Sequence, residues 1–118
     1  MPIQRPIPIW VGAFQPPAIA RAARIADGWQ AMLPAPNEQA LQVFENFRSQ
    51  VAEVGRDPKT VGIEATIFAP DLNEEGWAQQ VQGWIDCGAT QIVFRPQASF
   101  DQIEPMVSAF ANVMQDFV

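Results

Sequence analysis

Apolar residues along this chain alternate between short runs and stripes spaced three to four residues apart, and the alternation recurs to the last residues. Ile7 to Gly12 is a short run with β-branched and aromatic members closed by glycine, which predicts a buried strand. Prolines at 2, 6 and 8 confine its start to an edge or a lead-in. Pro16 and Pro17 suit a first helical turn, where their missing amide protons would be orphans anyway. Ile19, Ala22, Ala23 and Ala26 then recur at helical spacing on a small-sided face that can lie close to a sheet. Asp27-Gly28 stops this helix and starts a strand from Trp29 to Leu33, which Pro34 and Pro36 break. Asn37 caps a second helix whose stripe is Ala40, Leu41, Phe44, Phe47, Arg48, Val51 and Val54, ending at Gly55. The turn Arg56-Asp57-Pro58-Lys59 leads into a third strand, Gly62 to Ala69, in which Ile63, Ala65 and Ile67 alternate with Glu64, Thr66 and Phe68. Asn73 caps a helix carrying Trp77, Val81, Trp84 and Ile85, Gly88 ends it, and Thr90 to Phe94 is the fourth strand, closed by Arg95-Pro96. Ser99 caps a last helix with a broad apolar face of Ile103, Met106, Val107, Phe110, Val113, Met114 and Phe117.

The predicted order is βαβαβαβα with connections of a few residues, an α/β pattern of parallel strands joined by right-handed crossovers. Two architectures use it: an open doubly wound sheet, or a (β/α)8 barrel of which four units are half. Gly12-Ala13-Phe14 lacks the three-glycine spacing of a dinucleotide fingerprint, which weakens the first. At 118 residues and 48% hydrophobic, residues 1–118 are expected to form one domain, large enough for a real core and small for a whole barrel.

Composition narrows the partners. The formal charge is -6 and the seven basic residues are scattered, so neither nucleic acid nor an anionic membrane is an expected partner. No apolar run approaches the roughly 20 residues of a membrane span, and the proline-rich first residues make no signal-peptide core. Cys87 is the single cysteine, flanked by Asp86 and Gly88 in an apolar helical pattern. A structural buried thiol and a reducing, cytoplasmic location are therefore expected. With no histidine and one cysteine, conventional zinc sites and Ser-His-Asp or Cys-His nucleophiles are set aside, and no metal is expected.

The segment Pro6-Ile7-Pro8-Ile9-Trp10-Val11-Gly12, the helix Ala18-Ile19-Ala20-Arg21-Ala22-Ala23-Arg24-Ile25-Ala26 and Asp27-Gly28-Trp29 together resemble the luciferase-like monooxygenase family. The turn Val54-Gly55-Arg56-Asp57-Pro58 and the stretch from Cys87 to Pro96 resemble the corresponding turn and final barrel strand of that family. The resemblance covers Arg5 to about Phe117 and implies the C-terminal half of a (β/α)8 barrel. It also implies reduced FMN or the deazaflavin F420 as cofactor, in oxygenation or hydride transfer, with the protein supplying binding and orientation. The strands that would complete such a barrel, where much of the family's substrate and ring pocket is built, are not among these residues.

In a barrel the functional face lies at the carboxyl ends of the strands, after Gly12, Leu33, Ala69 and Phe94. Gly12-Ala13-Phe14-Gln15 leads into a helix N-terminus, which favours an anion such as a phosphate, although Pro16 and Pro17 remove two donors. The resemblance likewise implies cofactor phosphate near this turn, with Ala13 where the family usually has a second small glycine. The alternative is that Gly12 only permits a tight turn. Arg95, at the end of the last strand, could pair a phosphate or carboxylate or be held by Asp101. Glu64 and Thr66 share one strand face, where a structural network or exposure stands against a catalytic base. Trp77 and Trp84 read as core or interface, and Trp10 and Trp29 as pocket-lining core residues.

Half a barrel exposes two strand edges, predicted as Ile7–Gly12 and Thr90–Phe94, together with a concave apolar face. These invite a homodimer, either one eight-stranded barrel or two halves packed face to face, with domain swapping through Leu33–Pro36 as a further route. Two functions follow: a cofactor-binding oxidoreductase active when a second copy or a partner completes the barrel, or a non-enzymatic half-barrel binding or assembly module without cofactor.

Overall fold

Four parallel strands in the order β1-β2-β3-β4 form one sheet, in a computed structural model that describes residues 8–117. The elements run β1 (Trp10–Ala13), α1 (Pro16–Ile25), β2 (Gly28–Ala31), α2 (Glu38–Glu53), β3 (Gly62–Ala69), α3 (Glu74–Cys87), β4 (Gln91–Pro96) and α4 (Phe100–Met114). Spatial order thus equals chain order, with no reversal of the kind that makes a doubly wound sheet. Burial separates the two architectures further. Along β3, Ile63, Ala65, Ile67 and Ala69 are buried while Glu64, Thr66 and Phe68 are not, so the helices cover one face of the sheet and leave the other open. Half of a (β/α)8 barrel has this layout; a doubly wound sheet carries helices on both faces.

Local chemistry accounts for the helix limits. Pro16 and Pro17 open α1, and Ile19, Ala22 and Ala23 bury its sheet-facing side. Asn37 Oδ1 accepts from the Ala40 amide at 2.9 Å and Asn73 Oδ1 from the Gly76 amide at 3.1 Å, so both asparagines cap as their positions predict. Gly88 ends α3 at φ 105°, in the left-handed region that favours glycine, and its amide closes on Trp84 and Ile85 carbonyls. Ser99 precedes α4 without a side-chain capping bond.

Under the helices the core is aromatic. Trp29 stacks on Phe47 at 4.6 Å between centroids and meets Phe44 edge-on at 5.6 Å, and Phe44 stacks on Trp84 at 5.7 Å. A second group, Phe94 on Phe110 at 4.2 Å with Trp77 edge-on to both, seats α3 and α4 on β4. Trp77 and Trp84 are core residues, as expected. So is Trp29, whose indole donates to the Ala13 carbonyl at 2.8 Å.

Three strand limits differ from expectation. The first strand is Trp10–Ala13 rather than Ile7–Gly12, and Ile7 lies outside the described residues. The second ends at Ala31 rather than Leu33. Arg95 and Pro96 belong to β4 rather than closing it, because the β3 ladder continues through Phe68 opposite Arg95 and Ala69 opposite Pro96. The apolar face of α4 is also only partly covered: Met106 and Val113 are buried, while Ile103 and Val107 stay exposed where the sheet ends.

Candidate functional site

Register sorts the open face into layers. Trp10 stands beside Gly28 and Gly62; Gly12 beside Gln30, Glu64 and Gln91; Thr66 beside Val93; and Phe68 beside Arg95. The lowest layer is filled by one side chain. A Cβ at Gly28 would lie 2.3 Å from the Trp10 ring and one at Gly62 2.5 Å from it, so the indole lies across β2 and β3 where two glycines make room. Above it Gln91 Nε2 donates to Glu64 Oε2 at 2.9 Å. Glu64 thus has one hydrogen-bond partner on the neighbouring strand.

At the carboxyl ends of β2, β3 and β4 this face opens into a cavity of about 360 Å³, lined among others by Gln30, Met32, Glu64, Thr66, Phe68 and Arg95. Its size falls within the range of small-molecule pockets, and its lining mixes apolar walls with a few polar groups. The Arg95 guanidinium lies 5.8 Å above the Phe68 ring, within cation–π range. Asp101, its alternative holder, lines a different cleft with Pro70, Asp71, Leu72 and Pro105.

The Gly12-Ala13-Phe14-Gln15 turn lies at the other edge. Ala13 ends β1 with its side chain buried toward the helices, while Phe14 and Gln15 are exposed. Pro16 and Pro17 carry no amide proton and the Ile19 amide is held by the Gln15 carbonyl, which leaves Ala18 as the free donor of the first helical turn. The turn thus offers one helix amide to an anion, fewer donors than a helix start without prolines has. Gly12 and Arg95, both on the open face, are separated by three strand spacings and four residues of strand rise, roughly 20 Å measured along the sheet. Within one chain the structure does not bring the two candidate groups together. Gln30, Met32 and Phe68 were not singled out in the sequence; the two-residue alternation that paired Glu64 with Thr66 would have found Phe68, and strand register finds the others.

Other chemistry is sparse. Burial pushes the Cys87 thiol above its usual value, Asp86 adds to this and Arg48 opposes it, so the group is a neutral core thiol rather than a nucleophile. Among the described residues no three His, Cys, Asp or Glu side chains gather to hold a metal ion, and no helix is long and apolar enough to cross a membrane.

Comparison with known proteins settles the ancestry. The luciferase-like monooxygenase family matches residues 1–110. The chain belongs to that family. An F420-dependent hydroxymycolic acid dehydrogenase of Mycobacterium tuberculosis is 33% identical to this family member over 79 residues, 67% of this chain and 21% of the relative. The coenzyme F420 dependent tetrahydromethanopterin reductase from Methanopyrus kandleri superposes with a TM-score of 0.70 at 13% identity, covering 87% of this chain and 49% of that one. An F420-dependent secondary alcohol dehydrogenase in complex with an F420-acetone adduct gives a TM-score of 0.70 at 10% identity, covering 88% and 47%. This luciferase-like chain therefore spans about half the length of the solved structures it resembles and about a fifth of the curated relative.

The family motifs acquire physical meanings here. Asp27 Oδ2 accepts from the Ile9 amide at 2.7 Å, Gly28 lies beneath Trp10 and Trp29 anchors the core, so Asp-Gly-Trp joins β1 to β2. In Gly55-Arg56-Asp57, Gly55 takes φ 83°, Arg56 donates to the Ala23 and Ala26 carbonyls at 2.8 and 2.6 Å, and Asp57 accepts from the Lys59 amide. Both motifs hold the frame and leave the cavity to other residues.

Proposed function

We propose that this chain is the cofactor-binding half of an oxidoreductase that uses F420 or FMN, and that it becomes active when a second copy or a partner completes the barrel. The observation that carries this reading is the cavity at the carboxyl ends of β2–β4, in the place where (β/α)8 enzymes build their sites. Family membership supports it, as do relatives whose names specify F420. Of the two cofactors, F420 is favoured by those relatives. A bound flavin or deazaflavin would supply the redox chemistry. The chain's own residues bind and orient: Met32 and Phe68 offer apolar contact to a flat ring, Gln30 offers an amide to its polar edge, and Arg95 offers a cation to an anionic group. Excluding water requires the missing wall, because here the cavity opens away from the sheet.

Titration of the purified chain with F420 and with FMN, followed by fluorescence, tests the reading. Saturable binding is expected at or below about 50 µM, with Arg95→Ala weakening it about tenfold or more, as loss of a charged hydrogen bond does. No binding of either at that concentration would leave the non-enzymatic half-barrel module as the better account.

A further inference from the structure

The open face ends at two strand edges, β1 and β4, which no other described strand pairs. Register dictates what could pair them. Gly12 stands opposite Gln30, Gln30 opposite Glu64, and Glu64 opposite Gln91. Measured from that line, β1 is centred between Val11 and Gly12, half a residue before it, and β4 between Val93 and Phe94, two and a half residues beyond it. The sheet therefore climbs three residues in three strand steps. The steps are unequal, none from β1 to β2, two residues to β3 and one to β4, but their average of one residue per strand, continued around eight strands, is the shear of eight that closes a (β/α)8 barrel.

From this climb we propose that a second copy of the chain closes the barrel about a two-fold axis, β4 of each copy pairing in parallel with β1 of the other and Arg95 standing opposite the partner's Gly12. One further step of the same climb centres the partner's β1 three and a half residues beyond Gln91, which sets the partner's Gly12 level with Arg95. Both residues lie on the open face, so the pairing preserves the alternation of side chains. A climb in the other sense would set the start of the partner's α1, not a strand, against β4.

The face is suited to its own copy. Glu64 and Arg95 are the charged residues among its described strand positions, one of each sign, so two copies meet without a charge excess. Met32 and Phe68 are 63% and 41% exposed, and closure removes them from water. Trp10 already fills the amino-terminal end of each half over Gly28 and Gly62. Closure also satisfies both edges, which face-to-face packing of two half-barrels leaves open. On the far side α4 gains a neighbour in the partner's α1, beside its exposed Ile103 and Val107. The inference rests on the proposed completion of the barrel and not on cofactor binding. Where the cofactor reading also holds, the two groups that stand roughly 20 Å apart along the sheet in one chain become neighbours about 5 Å apart across the interface.

Disulfide trapping tests it on the full 118-residue chain. In a Cys87→Ala background, Gly12→Cys with Arg95→Cys should oxidise to a covalent dimer on non-reducing gels, since directly paired strand positions lie within disulfide reach and the two positions in one chain do not. Gly12→Cys with Gln91→Cys, four residues off the proposed register, should stay unlinked. Sedimentation of the unmodified chain at about 20 µM should show a dimer, independently of how the cysteine variants fold. A monomer, equal linking of both pairs, a dimer linked by neither, or assembly only on adding a separate chain that carries the other four strands would each overturn the proposal. Failure to bind F420 or FMN with trapping intact would instead remove the cofactor reading and leave the assembly standing.

Discussion

Gly28 shows how a single position can carry a motif. It is the middle residue of Asp27-Gly28-Trp29, yet its role is to be absent as a side chain: the Trp10 ring occupies the space where its Cβ would stand. Gly28→Ala is expected to destabilise the chain by about 1–3 kcal/mol, the usual cost of overpacking, because the neighbour is a rigid ring rather than a flexible chain end. Urea unfolding followed by tryptophan emission checks this, and an unchanged midpoint would show that Trp10 swings away without loss. Gly55→Ala meets no atom within 4 Å but sits at φ 83°, so there the penalty is backbone strain instead. As punctuation these glycines are legible in the sequence; that Gly28 and Gly62 share one reason is not, since the contact with Trp10 joins three different strands. Trp10 and Trp29 were likewise grouped as strand tryptophans, but opposite parity puts Trp29 under the helices and Trp10 on the open face.

At the scale of elements, helices were more legible than strand ends. Asn37 and Asn73 cap as their positions imply, and the stripes Ala40-Phe44-Phe47-Val51 and Trp77-Val81-Trp84 are buried, because capping and the 3.6-residue period are local properties. Strand limits depend on the neighbouring strand. The ladder carries β4 through Pro96, which the sheet tolerates because the Gln97 amide, and not that of residue 96, points back at Ala69. Pro105 is a second local conflict: it lies inside α4, exposed to solvent, and removes one backbone donor from the helix. Pro105→Ala is expected to stabilise the chain by about 1–3 kcal/mol by restoring that bond and relieving the ring clash. Thermal unfolding reads the effect directly; a lower midpoint would mean that packing of the proline ring against the Pro70–Leu72 cleft outweighs the lost helix bond.

For the whole molecule, the shape of the candidate site is a question of topology. The barrel family was legible from motifs and the half-barrel from element order, but the separation of Gly12 from Arg95 was not, because it depends on β1 and β4 being opposite edges. That separation makes a shared site testable by complementation. In the two-fold barrel each site takes Arg95 from one copy and the Gly12 turn from the other, so Arg95→Ala and Gly12→Val each spoil both sites of their own dimer. A hybrid of the two variants keeps one good site, built from Arg95 of the Gly12→Val chain and Gly12 of the Arg95→Ala chain. Equal mixing with free exchange makes half the dimers hybrid, so about one quarter of wild-type F420 or FMN binding capacity should return, at wild-type affinity. Independent sites within single chains would return nothing on mixing, however well both variants fold. Sedimentation confirming that each variant remains dimeric separates a lost site from a lost interface.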